Sequence, residues 1–145
     1  MVVGAGNEYL LMLLAQLLGK SVVAVENPTY LQAARVLKSQ GFTVKPVEQD
    51  SQGMSLLSLR EDEDIDIAYV MPSHQYPLGT VMPIKRRLEL LSWAGEKEGR
   101  YIIEDDYDSE FRYKGKPIPA LHGTDSGDKV IYMGTFSRSV ASAIR

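Results

Sequence analysis

Five carboxylates fall within seven residues, 104–110, in the stretch YIIEDDYDSEF. They follow Tyr101, Ile102 and Ile103, three apolar residues that read as a short buried strand. The C-terminal end of a buried strand is where an open α/β sheet places its ligand. A solvated acidic loop would carry the same charges, but Tyr107 and Phe111 interrupt the acids and the strand before them is too apolar for a surface. Other groups capable of chemistry also lie at the ends of apolar runs. Gly4, Ala5, Gly6 and Asn7 form a glycine turn that opens a helix, which presents free backbone N–H groups and a positive dipole end suited to a phosphate. Taken alone that turn is a weak signal, because tight strand-to-helix turns also need glycine for steric reasons. Tyr30 follows Asn27-Pro28, His74, Gln75 and Tyr76 sit in a proline-rich turn, and Thr135, Ser137 and Arg138 follow the last apolar run.

The elements that must position these groups can be read from periodicity and breakers. Val2-Val3 reads as a strand end, and residues 8–18 as a helix so apolar (Leu10, Leu11, Met12, Leu13, Leu14, Leu17, Leu18) that most of its sides should be buried. Residues 21–26 form a strand, then a helix begins near Pro28 and runs through Leu37, with Gly41 beyond its end. Tyr30 falls in its first turn, where a packed core aromatic is the alternative reading. Residues 42–47 suggest a short edge-like strand and 50–64 a polar connection. Residues 65–71 form another strand, 72–80 a long turn, and 83–98 an amphipathic helix. That helix should turn Ile84, Leu88, Leu90, Leu91 and Trp93 inward and Lys85, Arg86, Arg87 and Glu96 outward. The strand at 101–103, a loop at 115–128 and a last strand at 129–133 complete the chain. Five strands, most of them separated by helices, predict a three-layer α/β/α fold around a mostly parallel sheet whose strand ends converge on one edge.

Composition bounds the function. A chain of 145 residues with 44% hydrophobic and 24% charged residues is ordinary for a globular domain and long enough to bury a core. A net charge of −3 leaves no basic footprint for nucleic acid. Without cysteine, and with His74 and His122 as its two histidines, the sequence argues against a disulfide framework or a metal site. The apolar run at 10–18 is too short to span a bilayer, and a cytoplasmic location is expected. Neither end has a polar tail, as expected of a segment of a longer protein.

Four segments taken together resemble the MocR/GabR family of bacterial regulators, in which a winged-helix DNA-binding domain is fused to an aminotransferase-like domain of fold type I. They are ENPTY at 26–30, PSHQYPLG at 72–79, IEDDYDSEF at 103–111 and GTFS at 134–137. The resemblance runs from Val2 to Arg145 and implies that residues 1–145 are the central part of the large domain, without the N-terminal winged-helix domain or the C-terminal small domain. It implies pyridoxal 5′-phosphate as cofactor, an amine or amino acid as ligand, DNA contact only through the other domain, no membrane contact and a homodimer in the full-length protein. Asp105 matches the aspartate that pairs with the pyridine nitrogen, and Tyr107 the tyrosine on the ring's phenolic oxygen. Tyr30 matches the aromatic stacked on the ring. Ala5, Gly6 and Asn7 match the phosphate turn, and Ser137 and Arg145 the hydroxyl and guanidinium on the same phosphate. No individual role follows for His74, Gln75 or Tyr76, while Asp106, Asp108 and Glu110 read equally as caps, surface acids or ligands.

One departure stands out. Where the family carries its Schiff-base lysine, after Thr-Phe-Ser, this sequence has Arg138. A guanidinium stays protonated in proteins and does not act as a nucleophile, so arginine is not competent there. Lys114, Lys116 and Lys129 are not placed to take over, and Val140-Ala141-Ser142-Ala143-Ile144 lacks the proline and glycine usual in the family. The resemblance therefore implies a domain that keeps its non-covalent cofactor contacts but is catalytically impaired. The arginine could be a natural loss, an engineered change or the mark of a decayed gene. A working class I/II aminotransferase and a non-functional gene fragment are the alternatives.

Overall fold

The structure is a computed structural model that describes residues 1–107 and 118–135. In chain order its elements are α1 (Asn7–Leu18), β1 (Val22–Asn27), α2 (Leu31–Ser39), β2 (Thr43–Asp50), β3 (Gly53–Met54), α3 (Leu56–Arg60), β4 (Ile67–Val70), α4 (Ile84–Gly95), β5 (Tyr101–Asp106), α5 (Leu121–Thr124) and β6 (Val130–Gly134). The strands form one sheet in the order β3-β2-β1-β4-β5-β6. Every pairing among the described residues is parallel except that of β2 with β3. Six strands among these residues thus replace the five expected.

Alternation along the strands sorts side chains into two core layers, because successive residues point to opposite faces of a sheet. Val23, Val25, Ile67, Tyr69, Met71 and Ile103 pack with Leu11, Ala15, Ala33 and Leu37 of α1 and α2. Ala24, Ala68, Val70 and Ile102 pack on the other face with Leu59, Leu90, Trp93 and Leu121. Helices therefore cover both faces, as the α/β/α reading expected. The same parity that buries Ile103 on the α1–α2 side carries Asp105 to that side and sends Glu104 to the other.

Several expectations are corrected. Val2 and Val3 are not in a strand and are each 75% exposed. Helix α1 is not buried all round: Leu11 and Ala15 are fully covered, whereas Leu17 is 85% exposed. One face against α2 and the sheet is all this helix can bury. Pro28 lies before α2 rather than inside it, joined to Asn27 by a cis peptide bond, and Tyr30 is the N-cap. Strand β2 is not at the edge, because residues 53–54 turn back along it, and the 50–64 connection also holds α3. In α4, Ile84 and Leu88 face solvent, while Arg87 is completely buried. The 115–128 loop contains α5, and the strand beginning at Tyr101 continues through Asp106, so three of the acids are strand residues. Asp108 and Glu110 lie outside the described residues.

Candidate functional site

The C-terminal ends of β1, β4 and β5 and the start of α1 bring the residues singled out in the sequence to one edge. Asp105 is 3% exposed on the α1–α2 side of β5. Its Oδ2 accepts hydrogen bonds from Asn7 Nδ2 at 2.8 Å and from the Tyr69 hydroxyl. Its Oδ1 is buried and has no hydrogen-bond partner among the described residues. A carboxylate has acceptor sites on both oxygens, so one end of this group is held by two donors while the other is left to receive one. Burial pushes the Asp105 carboxyl up to about 6; Tyr69 and Asn7 pull against that, and the charges of Asp106 and Glu8 add to it.

Tyr69 was not singled out from the sequence. The signal was present: a tyrosine inside the aliphatic run IAYV of a buried strand must find a partner for its hydroxyl. Burial, together with the Asp105 charge, raises its phenol well above the ordinary range, so it stays a donor.

The glycine turn lies beside this group. Gly6 has φ of 99°, a left-handed value that disfavours a side chain. It caps α1 without any side-chain hydrogen bond, and the first N–H groups of a helix have no intrahelical acceptor. Asn7, expected only in the phosphate turn, directs its amide to Asp105 and ties the turn to β5. Ala5 is exposed at the same turn.

Two aromatic pairs flank the carboxylate. The Tyr30 hydroxyl donates to Glu8 Oε1 at 2.8 Å, and its ring meets Tyr76 edge-on, with centroids 6.1 Å apart and planes at 85°. That bond to Glu8, with some burial, pushes the Tyr30 phenol up to about 12. Tyr107 and His74 lie parallel within 21° at 6.1 Å. The structure therefore brings together Gly6, Asn7, Tyr30, Tyr69, Asp105 and the 74–76 turn. Ser137, Arg138 and Arg145 lie outside the described residues. No group of three metal-ligating side chains occurs among the described residues, and no described helix is long and apolar enough to cross a membrane.

A second buried carboxyl, Glu26 at the end of β1, is pushed up to about 7 by burial, against opposing hydrogen bonds from Met71, Gln75 and Met54. Glu26 and Asp105 give the fold a pH dependence whose sign is fixed. Below about pH 3 both carboxyls are protonated in the folded and the unfolded state. As pH rises, the unfolded chain ionises first, so unfolding releases protons and stability falls until pH passes about 7. The expected loss between pH 5 and pH 8 is on the order of several kcal/mol. Urea midpoints at the two pH values check this; a higher midpoint at pH 8 contradicts it, and Glu26→Gln should flatten the upper part of the curve.

Residues 1–143 match the family described as aminotransferase class I and II. The chain is 42% identical over 145 residues to the uncharacterized HTH-type transcriptional regulator YdeL of Bacillus subtilis, covering 99% of this chain and 31% of that protein. It is 41% identical over 124 residues to the probable rhizopine catabolism regulatory protein MocR of Rhizobium meliloti, covering 83% and 24%. The kynurenine aminotransferase of Pyrococcus horikoshii, solved in complex with PMP, superposes with a TM-score of 0.88 at 30% identity, covering 95% of this chain and 36% of that one. The chain thus spans about a third or less of the length of these regulators. A mostly parallel sheet whose strand ends gather a buried aspartate, a glycine turn and two tyrosines accords with that match: this chain belongs to the aminotransferase class I and II family.

Proposed function

We propose that this chain is the pyridoxal 5′-phosphate-binding core of a MocR/GabR-type transcriptional regulator. In such a protein an aminotransferase-like domain reads an amine or amino acid, and a separate helix-turn-helix domain reads DNA. The observation that carries the reading is the Asp105 carboxylate, anchored through Oδ2 by Asn7 and Tyr69 with Oδ1 unpartnered among the described residues. A buried acceptor left without a donor is costly, and a protonated ring nitrogen at Oδ1 would relieve that cost. Its placement beside a glycine-capped helix start and the Tyr30 ring fits a phosphorylated pyridine. The relatives named as regulators support the wider role.

The chain's own residues would act as follows. Asp105, itself nearly inaccessible to solvent, would hold a proton on the ring nitrogen through a charge-assisted hydrogen bond. Tyr69 and Asn7 keep that carboxylate oriented and favour its charged form. Tyr30 would cover one ring face, and Tyr107, just past the end of β5, would hydrogen-bond the ring's phenolic oxygen. The open N–H groups after Gly6 would receive the phosphate, and the family resemblance assigns Ser137 and Arg145 to the same phosphate. When bound, pyridoxal phosphate supplies an electron sink next to the amine's carbon. Arg138 can neither bond covalently to the cofactor aldehyde nor shuttle a proton at neutral pH, so retention would be non-covalent and turnover impaired. The expected setting is a homodimer in the cytoplasm.

A working aminotransferase is the second reading, favoured by the match to the Pyrococcus horikoshii enzyme; Arg138 argues against its turnover, and a winged-helix domain encoded upstream of residue 1 would separate the regulator from it. Added pyridoxal phosphate should bind the native chain weakly and leave no borohydride-stable adduct. Arg138→Lys should create one, seen as a mass increase on the peptide that contains residue 138. A stable adduct on that peptide of the native chain would overturn the expectation of non-covalent retention and impaired turnover.

A further inference from the structure

The turn that carries Tyr76 and the turn that carries Tyr30 belong to different segments, distant in sequence, yet their rings meet edge-on. We propose that Gln75 is the positioning residue that fixes Tyr30 against Tyr76, so that one side-chain amide sets the aromatic wall of the site. Gln75 is 2% exposed. Its Nε2 donates to the carbonyl of Pro28, which shortly precedes Tyr30, at 2.8 Å, and to the carbonyl of Tyr76 at 2.8 Å. Its Oε1 accepts from the Leu78 N–H at 3.1 Å. Backbone bonds close the same turn, from Gln75 N–H to Thr80 O at 2.9 Å and from Gly79 N–H to Gln75 O at 2.7 Å. The backbone thus shapes the turn locally, and the side chain ties it to the Tyr30 segment.

The amide has one workable orientation. Two carbonyls and the Glu26 carboxyl face its nitrogen end, whereas a backbone N–H faces its oxygen end. A primary amide is the side chain that donates twice at one end and accepts at the other. Glutamate in its place would keep the acceptor for Leu78 but lose both donors, and its charge would face Glu26. The Pro28 carbonyl also accepts from Gln49 Nε2 at 2.6 Å, which steadies the segment from β2. The link between the two tyrosines nevertheless runs through Gln75.

The consequence for ligand affinity rests on the pyridoxal phosphate reading; the positioning itself does not. The two are separated by measuring both in the same protein. In the ligand-free full chain, NMR should show ring-to-ring contacts between Tyr30 and Tyr76 and slow exchange of the Leu78 amide. In Gln75→Glu at neutral pH, the ring contacts should vanish while the Leu78 amide stays protected. Pyridoxal phosphate, titrated by absorbance, should then bind at least about tenfold more weakly, the factor expected from losing roughly one buried hydrogen bond. Gln75→Met, which fills similar volume without polar atoms, should lose both the contact and the Leu78 protection, and it serves if Gln75→Glu fails to fold. Ring contacts that persist in either folded variant overturn the proposal. If the contacts are lost but the native chain never binds pyridoxal phosphate, the positioning role stands and the cofactor reading fails.

Discussion

Arg87→Met should lower the stability of the fold by about 3–5 kcal/mol, the usual penalty for removing one member of a buried charged network. Arg87 is fully buried on α4. Its Nε donates to Met82 O at 2.9 Å, Nη1 to Pro119 O at 2.8 Å and Nη2 to Pro72 O at 2.8 Å. Those three carbonyls sit at the two ends of the turn that carries His74, Gln75 and Tyr76 and just before α5. Glu104, on the same side of the sheet, accepts the N–H groups of Leu121 at 2.8 Å and His122 at 2.9 Å and so caps α5. Burial raises the Glu104 carboxyl, and those two N–H groups and the Arg87 charge pull against it. Methionine fills similar space but leaves the Met82 and Pro119 carbonyls without their donor, removes one of the two donors to the Pro72 carbonyl, and leaves one buried carboxylate without its counter-charge. Arg87→Lys keeps the charge and loses the fork, so it should fall between the two, since a point-charge ammonium cannot span three acceptors spread across a planar guanidinium. Urea unfolding measures the loss; a change below about 1 kcal/mol for Arg87→Met would show that the network is not cooperative.

Arg87 also marks where sequence reasoning stopped short. A helical wheel places a charged residue outward, and KRR at 85–87 looks like one solvated face. What turns Arg87 inward is a set of backbone carbonyls from loops distant in sequence, which leave no periodic trace. The same holds for α1: its leucines promised burial on most sides, but one face is all that the sheet and α2 can cover. Features carried by local chemistry were easier to read. Apolar runs of three to five residues located β1, β4, β5 and β6, and their separation by helices implied the parallel order. Asp105 was legible because it follows a buried run, and Tyr30 because the ENPTY segment carries a family resemblance. The bond from Asn7 to Asp105 spans 98 residues of sequence and had to await the fold. Tyr69 lay between these cases, visible as a polar tip in an apolar strand but without a named partner.

Asp105→Asn should weaken pyridoxal phosphate binding by about 100-fold or more, and at the same time make the ligand-free chain more stable at pH 8. Both effects come from the same oxygen. In the native protein Oδ2 is held by Asn7 and Tyr69, so an asparagine would keep its carbonyl there and turn its NH₂ toward the place of Oδ1. A donor would then face the protonated ring nitrogen, replacing a charge-assisted bond with two opposed donors; about 3 kcal/mol corresponds to the 100-fold loss. Without the cofactor, however, the buried carboxylate is a burden, since burial raises the carboxyl to about 6. Removing it should stabilise the ligand-free chain by on the order of 2 kcal/mol at pH 8, a gain that largely disappears by pH 4, close to the carboxyl's unfolded pKa. Urea midpoints at the two pH values and a cofactor titration at pH 8 read the two halves separately. If affinity is unchanged in Asp105→Asn, no ring nitrogen sits at Oδ1. If affinity falls but ligand-free stability does not rise, the carboxylate already has a donor that compensates its burial. Loss of binding together with a gain in stability would identify Asp105 as a residue kept for its ligand at the expense of the fold, and the unpartnered oxygen as the place where that ligand docks.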